Sequence, residues 1–220
     1  MLAALGVSLG VLLPTSGAAF ASVACPGDER LPTVDTTSDA AAALVCDINV
    51  LRNRQGLPPL RSDPQLAASA HDLATDMAAH HFVSHVSSDG RGLMARVAST
   101  GYVEHAAAPW IVENVDWGSY WYSSPLATAF GWMGSEEHRA HVLDPDVEEV
   151  GIGIAEGRAT ATGPSGFFYV ADFGTRGGKP TTATATTQAP RARAPRTLRR
   201  SGYTHSTVGH GRRVQRNRRG

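Results

Sequence analysis

The sequence has little cysteine. Its 220 residues hold two, Cys25 and Cys46, which allows one disulfide and no more. It also lacks a long apolar run past its first two dozen residues, so nothing further along reads as a membrane span. No internal repeat is present, which argues against a solenoid or propeller. Charge is missing at both ends in different ways. Residues 1–24 carry none, and residues 175–220 carry no acid. The net charge of zero hides this split. Residues 1–174 hold 8 Lys+Arg against 20 Asp+Glu, a net of −12, whereas residues 175–220 hold 12 Lys+Arg, a net of +12. The chain reads as an acidic globule joined to a basic tail.

What is there begins with an uncharged apolar run over residues 1–13. It is too short for a mature membrane helix and suits the core of a signal peptide. Ala19-Phe20-Ala21 and Ser22-Val23-Ala24 are candidate cleavage sites. No Lys or Arg precedes the run, as it would in an ordinary leader. Residues 1–24 are thus expected to be a signal peptide and the protein to be secreted, extracellular or attached to the cell envelope. In an exported chain, Cys25 and Cys46 suggest one disulfide, closing a loop of about 20 residues worth roughly 3 kcal/mol. Two alternatives stand beside it. One is a lipid-modified Cys25, for which Ser22-Val23-Ala24-Cys25 is a poor signal because its first position is not Leu or Val. The other is a free thiol pair in a cytosolic chain.

Residues 25–40 form a polar strap. Ser38 is the expected cap of a first helix in which Leu44, Val45, Ile48 and Leu51 recur at helical spacing, and Gly56 stops it. Leu57-Pro58-Pro59-Leu60 is a stiff connector, and Asp63-Pro64 starts a second helix striped by Leu66, Ala70, Leu73 and Met77. A Ser/Asp/Gly loop over 82–92 and a short helix over 93–100 follow. Residues 104–119 resist typing. Residues 124–143 read as one helix packed through Ala127, Phe130, Trp132 and Met133. Residues 150–155 and 167–173 read as strands that 157–166 could join as a hairpin. Helices first and strands last point to an α+β layered fold. From 175 onward apolar residues give way to Thr, Ala, Pro, Gly and Arg, and disorder is expected.

Several motifs occur in order. Asn49-x-x-Arg52-x-x-x-Gly56-Leu57-x-Pro59-Leu60-x-x-Asp63-x-x-Leu66 comes first. Then come Phe82-x-Ser84-His85-x-x-x-Asp89-Gly90, Arg96, Gly101-Tyr102, Glu113-Asn114-Val115 and Gly118. Trp132-Met133-x-Ser135-x-x-His138-Arg139, Val150-Gly151-x-Gly153 and Asp172-Phe173-Gly174 complete the series. Over residues 41–174 this ordered set resembles the CAP superfamily (cysteine-rich secretory proteins, antigen 5, pathogenesis-related class 1; the SCP domain) in its bacterial branch. The resemblance implies a single three-layer α-β-α sandwich with a cleft on one side. In many members that cleft holds two histidines and two acids. By position His85 matches the first histidine, Glu113 the first acid and His138 the second histidine. The second acid falls on Ser135, which removes a carboxylate and puts in doubt any mechanism needing two.

Ser135 and His138, three apart, would share one face of a helix. Two imidazoles with a nearby carboxylate could hold zinc through His85 and His138, or could form a hydrogen-bonded group with no metal. Each residue has a plainer role open to it. His85 could staple its loop, His138 could favour a helix end, Glu113 could bind backbone donors, and Ser135 could be a surface residue. A Ser135/His138/Glu113 triad is poorly supported, since Ser135 lacks a nucleophile-elbow setting. His71, His80, His81, His105 and His141 match no cleft position. Trp110, Trp117, Tyr120, Trp121, Tyr122 and Trp132 could wall a ligand or pack a core; 117–122 is the better candidate for a surface and Trp132 for the core. The expected function is non-catalytic binding of a lipid, cell-wall or surface ligand by a monomer. The alternatives are a metal-assisted hydrolase in the same cleft, and an envelope protein acting through its tail. The Arg-rich stretch 191–219 could contact anionic polymers, with no specific nucleic-acid binding expected.

Overall fold

The computed structural model describes residues 25–177. The leader expected at 1–24, and the tail from 178 on, lie outside the described residues. Asp63 caps the second helix as its sequence demands: its carboxylate accepts from the backbone of Gln65 and Leu66, both at 2.9 Å, and Pro64 occupies the first turn. Ser124 caps another helix in the same way, through the Ala127 N–H, again with proline next in line. The helices are α1 (Thr37–Arg54), α2 (Pro64–His80), α3 (Leu93–Ser99), α4 (Pro125–Gly134) and α5 (Glu136–Val142). The strands are β1 (Arg61–Ser62), β2 (Trp110–Gly118), β3 (Glu149–Gly157) and β4 (Gly166–Thr175).

The strands form one sheet in the order β1-β3-β4-β2. β1 runs parallel to β3; β4 pairs antiparallel with β3 and β2. β4 is central and buried along its whole length, which leaves β2 and β1 as edges. Leu44, Ile48, Ala129, Trp132 and Val142 of α1, α4 and α5 pack on Ile152, Tyr169 and Phe173. Ala70, Leu73 and Met77 of α2 pack on Val115, Phe168 and Val170 from the other face. The architecture is thus the three-layer α-β-α sandwich, with the expected hairpin joining β3 to β4. Gly151 and Gly153 explain how close the α2 layer lies. A Cβ on either would collide with the backbone of α2 at Ala67 or His71. Arg52, fully buried, ties the end of α1 to the turn before β3, donating to the carbonyls of Val142 at 2.9 Å and Asp144 at 2.8 Å. Asn49 and Leu60 exchange two hydrogen bonds that fix the proline connector.

Several expectations are corrected. α1 begins at Thr37, with Thr36 at the cap, so Ser38 lies inside the helix. Residues 124–143 are two helices: Ser135, with ψ 131°, leaves the helical region and separates α4 from α5. Phe130 is 61% exposed and is not part of the core. The hard-to-type stretch contains β2, and the connector ends in the short strand β1. The tail expected from 175 starts too early, because Thr175 is buried in β4 and Arg176 binds Asp63 at 3.0 Å and Glu149 at 2.7 Å. Cys25 and Cys46 form a disulfide, which excludes the free-thiol and lipid-modified alternatives in this structure.

Candidate functional site

The site grows from a buried arginine. Arg96 in α3 is fully buried, and its guanidinium donates to Glu113 Oε2 on β2. Its Nη1 donates to the carbonyls of His85 and Arg91, each at 3.1 Å. One side chain therefore neutralises Glu113 and pins both arms of the 82–92 loop. Asp76 of α2 adds to this by accepting from the Ser88 backbone and hydroxyl at 2.6 and 2.5 Å. The other Glu113 oxygen meets His85 Nδ1 at 2.8 Å. Glu113 is 4% exposed, whereas the His85 side chain is 56% exposed. The imidazole thus lies at the surface, held from below by a buried carboxylate. That hydrogen bond is the main reason why the His85 pKa is raised; burial opposes it.

A second carboxyl lies where none was expected. Asp172 is the cross-strand partner of Glu113 in the β2–β4 register and is completely buried. Its polar neighbours are the Ser69 hydroxyl and the Glu113 carboxyl, and no backbone N–H or cation donates to it among the described residues. Burial, and then the charge of Glu113, hold its carboxyl well above the usual carboxylate range. The sequence showed Asp172 only as part of a motif. Its pairing with a residue 59 positions earlier becomes visible only once strand register is known.

On the outer edge of β2 sits α5. His138 is joined to the strand through its backbone: Asn114 Nδ2 donates to its carbonyl at 3.0 Å. His141, matched to no role in the sequence, lies against the strand itself. Its Nδ1 is 2.8 Å from Asn114 Oδ1 and 3.2 Å from the Glu113 carbonyl, so that nitrogen is the protonated donor. Burial lowers its pKa. Glu137, exposed in the first turn of α5, acts by charge on both His85 and His141, raising each. Its spacing of four from His141 on a helix was the signal available in the sequence.

Ser135 does not share a helix face with His138. It is the break before α5, where its carbonyl accepts from Arg139 N–H at 2.9 Å and its hydroxyl caps nothing. The Ser135/His138/Glu113 triad does not assemble, because the Glu113 oxygens are held by His85 and Arg96. His71, His80 and His81 are exposed on or just past α2.

A carboxylate on one ring nitrogen, with the other free to face outward, is the arrangement that orients metal-bound histidines. The donor count is too small, however. A zinc centre takes at least three protein ligands, and both Glu113 oxygens are engaged. Among the described residues, the one trio of candidate ligand atoms within 4.8 Å of one another is Cys25, Asp28 and Asp47, none of them a residue of this site. The His85/His138 pair does not make a closed zinc centre. Directly after β2, Tyr120, Trp121 and Tyr122 are 72%, 81% and 75% exposed, while Trp117 packs against Phe168 and Trp132 is core.

The profile of the Cysteine-rich secretory protein family matches residues 46–173. The chain belongs to that family, within the CAP superfamily, in its bacterial branch. It is 32% identical over 128 residues to a Bacillus subtilis (strain 168) protein named "Uncharacterized membrane protein YlbC", covering 58% of this chain and 34% of that protein. The chain therefore spans about a third of that relative's length. An extracellular protein containing an SCP domain from Bacillus anthracis str. Ames superposes with a TM-score of 0.50 at 25% identity, over 64% of this chain and 43% of that one. An outer surface protein from Borrelia burgdorferi shares the fold, with a TM-score of 0.51 at 20% identity over 66% of this chain and 98% of that one. No helix among the described residues is long and apolar enough to cross a membrane.

Proposed function

We propose that this is an exported binding protein whose cleft at the β2 edge holds a lipid or cell-wall ligand without transforming it. The observation that carries the reading is the state of Glu113. Both its oxygens are occupied, one by His85 and one by buried Arg96. A carboxylate so held is poorly placed to take a proton from water. What it does instead is fix the exposed His85 ring as a docking group. Glu137 lies within charge range of both His85 and His141, His138 within range of His141, and the exposed Tyr120-Trp121-Tyr122 segment offers flat apolar faces for a lipid or a sugar ring. Export is supported by the Cys25–Cys46 disulfide, a bond that persists in oxidising compartments, and by the likeness to an extracellular SCP-domain protein.

The test is retention of the full chain on isolated envelope lipid and cell-wall fractions. His85→Ala and Trp121→Ala should each weaken retention about tenfold while leaving the thermal unfolding midpoint within a few degrees. Equal retention of both variants would reject the cleft reading. The hydrolase reading keeps one point in its favour, the carboxylate-backed His85. Zinc titration by calorimetry separates the two: a stoichiometric site lost in both His85→Ala and His138→Ala would favour the hydrolase.

A further inference from the structure

A second pocket, built from residues the β2 cleft does not use, lies between the N-terminal strap, α1 and α4. Asp28, Asp47, Val50, Leu51, Leu126 and Phe130 line it. Its cavity of about 120 Å³ is below the roughly 300–1,000 Å³ of drug-sized sites and suits a small group on a short alkyl stem. Two carboxylates meet here because the backbone forces them to. Cys25 is disulfide-bonded to Cys46, the neighbour of Asp47, and Asp28 follows three residues after Cys25. The Asp28 carbonyl also accepts from Leu126 N–H at 2.9 Å, which anchors the strap to α4. Carboxylate oxygens of Asp28 and Asp47 consequently lie within 4.8 Å of each other.

Asp47 is the independent sign of a ligand. It is only 6% exposed, lines the pocket, and its Oδ2 meets no N–H, hydroxyl or cationic donor among the described residues, its one polar neighbour being the Asp28 carboxyl. A buried acceptor without a donor is costly, so such atoms are rare and call for a partner. Arg54 lines the same pocket, yet forms no ion pair with either aspartate among the described residues. The remaining walls are aliphatic and aromatic.

We propose that this pocket binds a primary alkylammonium group, with the –NH₃⁺ between Asp28 and Asp47 and the carbon stem against Leu51, Leu126 and Phe130. An ammonium brings three donors and a compensating charge to two carboxylates that no cation pairs with among the described residues, only Asp28 Oδ1 already accepting, from the Glu29 N–H at 2.8 Å. A divalent cation suits the site less well, because calcium takes six to eight oxygens and the rest of the lining is apolar or cationic. The burial of Asp47, followed by the charge of Asp28, raises its pKa to about 7. Ammonium binding must displace that proton, so affinity should fall as the pH drops below 7.

The experiment is calorimetric titration of the full chain with hexylamine at pH 8, with hexanol, methylamine and calcium chloride as comparators. Saturable one-to-one binding of hexylamine, weakened at least about tenfold at pH 5.5, is expected. Hexanol and methylamine should bind at least tenfold more weakly, since each keeps one half of the recognition. Asp47→Asn should lose about tenfold or more in affinity while remaining folded, because it removes a like-charge contact. Phe130→Ala, at an exposed position, should weaken the stem contact without unfolding the protein. Absence of hexylamine binding, binding unchanged in Asp47→Asn, or tighter binding of calcium than of hexylamine would each overturn the proposal.

Discussion

Glu113 is the residue on which the His85 site turns. It is shared between a wholly buried guanidinium and a surface imidazole, with a buried carboxyl across the strand. Removing one partner of a buried ion pair leaves the other charge uncompensated, which costs about 3–5 kcal/mol. Glu113→Gln, measured by urea unfolding, should therefore lose about 3 kcal/mol, and an NMR titration of His85 should show its pKa falling. The sign of the His85 contribution follows from its raised pKa. The stabilising His85–Glu113 pair is fully present below the unfolded histidine value near 6.5 and is lost as the pH rises through the folded value. The stability gap between the wild type and His85→Gln should thus be larger at pH 5.5 than at pH 9. Because the His85 side chain is 56% exposed, solvent screening keeps that gap under about 1 kcal/mol.

Among the elements, α2 and α5 place the chemistry. α2 lies so close to β3 that Gly153 has no room for a methyl group against the backbone of His71. Overpacking of this kind costs about 1–3 kcal/mol or more. Gly153→Ala should lower the unfolding free energy by about 3 kcal/mol, whereas Phe130→Ser on the exposed side of α4 should change it by less than about 0.5 kcal/mol. α5 exists as a separate helix because Ser135 takes an extended conformation, and that break turns the Glu137–His141 segment onto the β2 edge. Periodicity alone reads straight through the break. The local signs of the break are Gly134, a poor helix former, and Ser135 ahead of Glu136-Glu137, a cap-type residue before an acidic first turn.

In the molecule as a whole, the disulfide anchors the strap to the layer containing α1 and α4. Cys25 and Cys46 are 21 residues apart, and closing a loop of that length in the unfolded chain is worth roughly 3 kcal/mol. Reduction should lower the stability of the chain by about that much in denaturant titration. It should also relax the enforced meeting of Asp28 and Asp47, which would be seen as an Asp47 pKa moving down from about 7.

The sequence by itself determined the family and the layered fold, offered the Cys25–Cys46 disulfide beside two alternatives, and singled out His85 and Glu113, which the structure joins by a hydrogen bond. These rest on local signals: caps such as Asp63-Pro64, apolar stripes such as Leu66 to Met77, and motifs whose order survives without knowledge of contacts. Asn49 and Arg52 belonged to a legible motif, but their purpose, binding the proline connector and the carbonyls before β3, is a tertiary matter. Only the tertiary structure decided that Asp172 stands opposite Glu113, that Glu137 lies within charge range of both His85 and His141, and that Ser135 does not share a helix face with His138. The physical reason is separation along the chain. Strand register and the placement of α5 bring together groups tens of residues apart, and the burial that perturbs them is a property of the packed core.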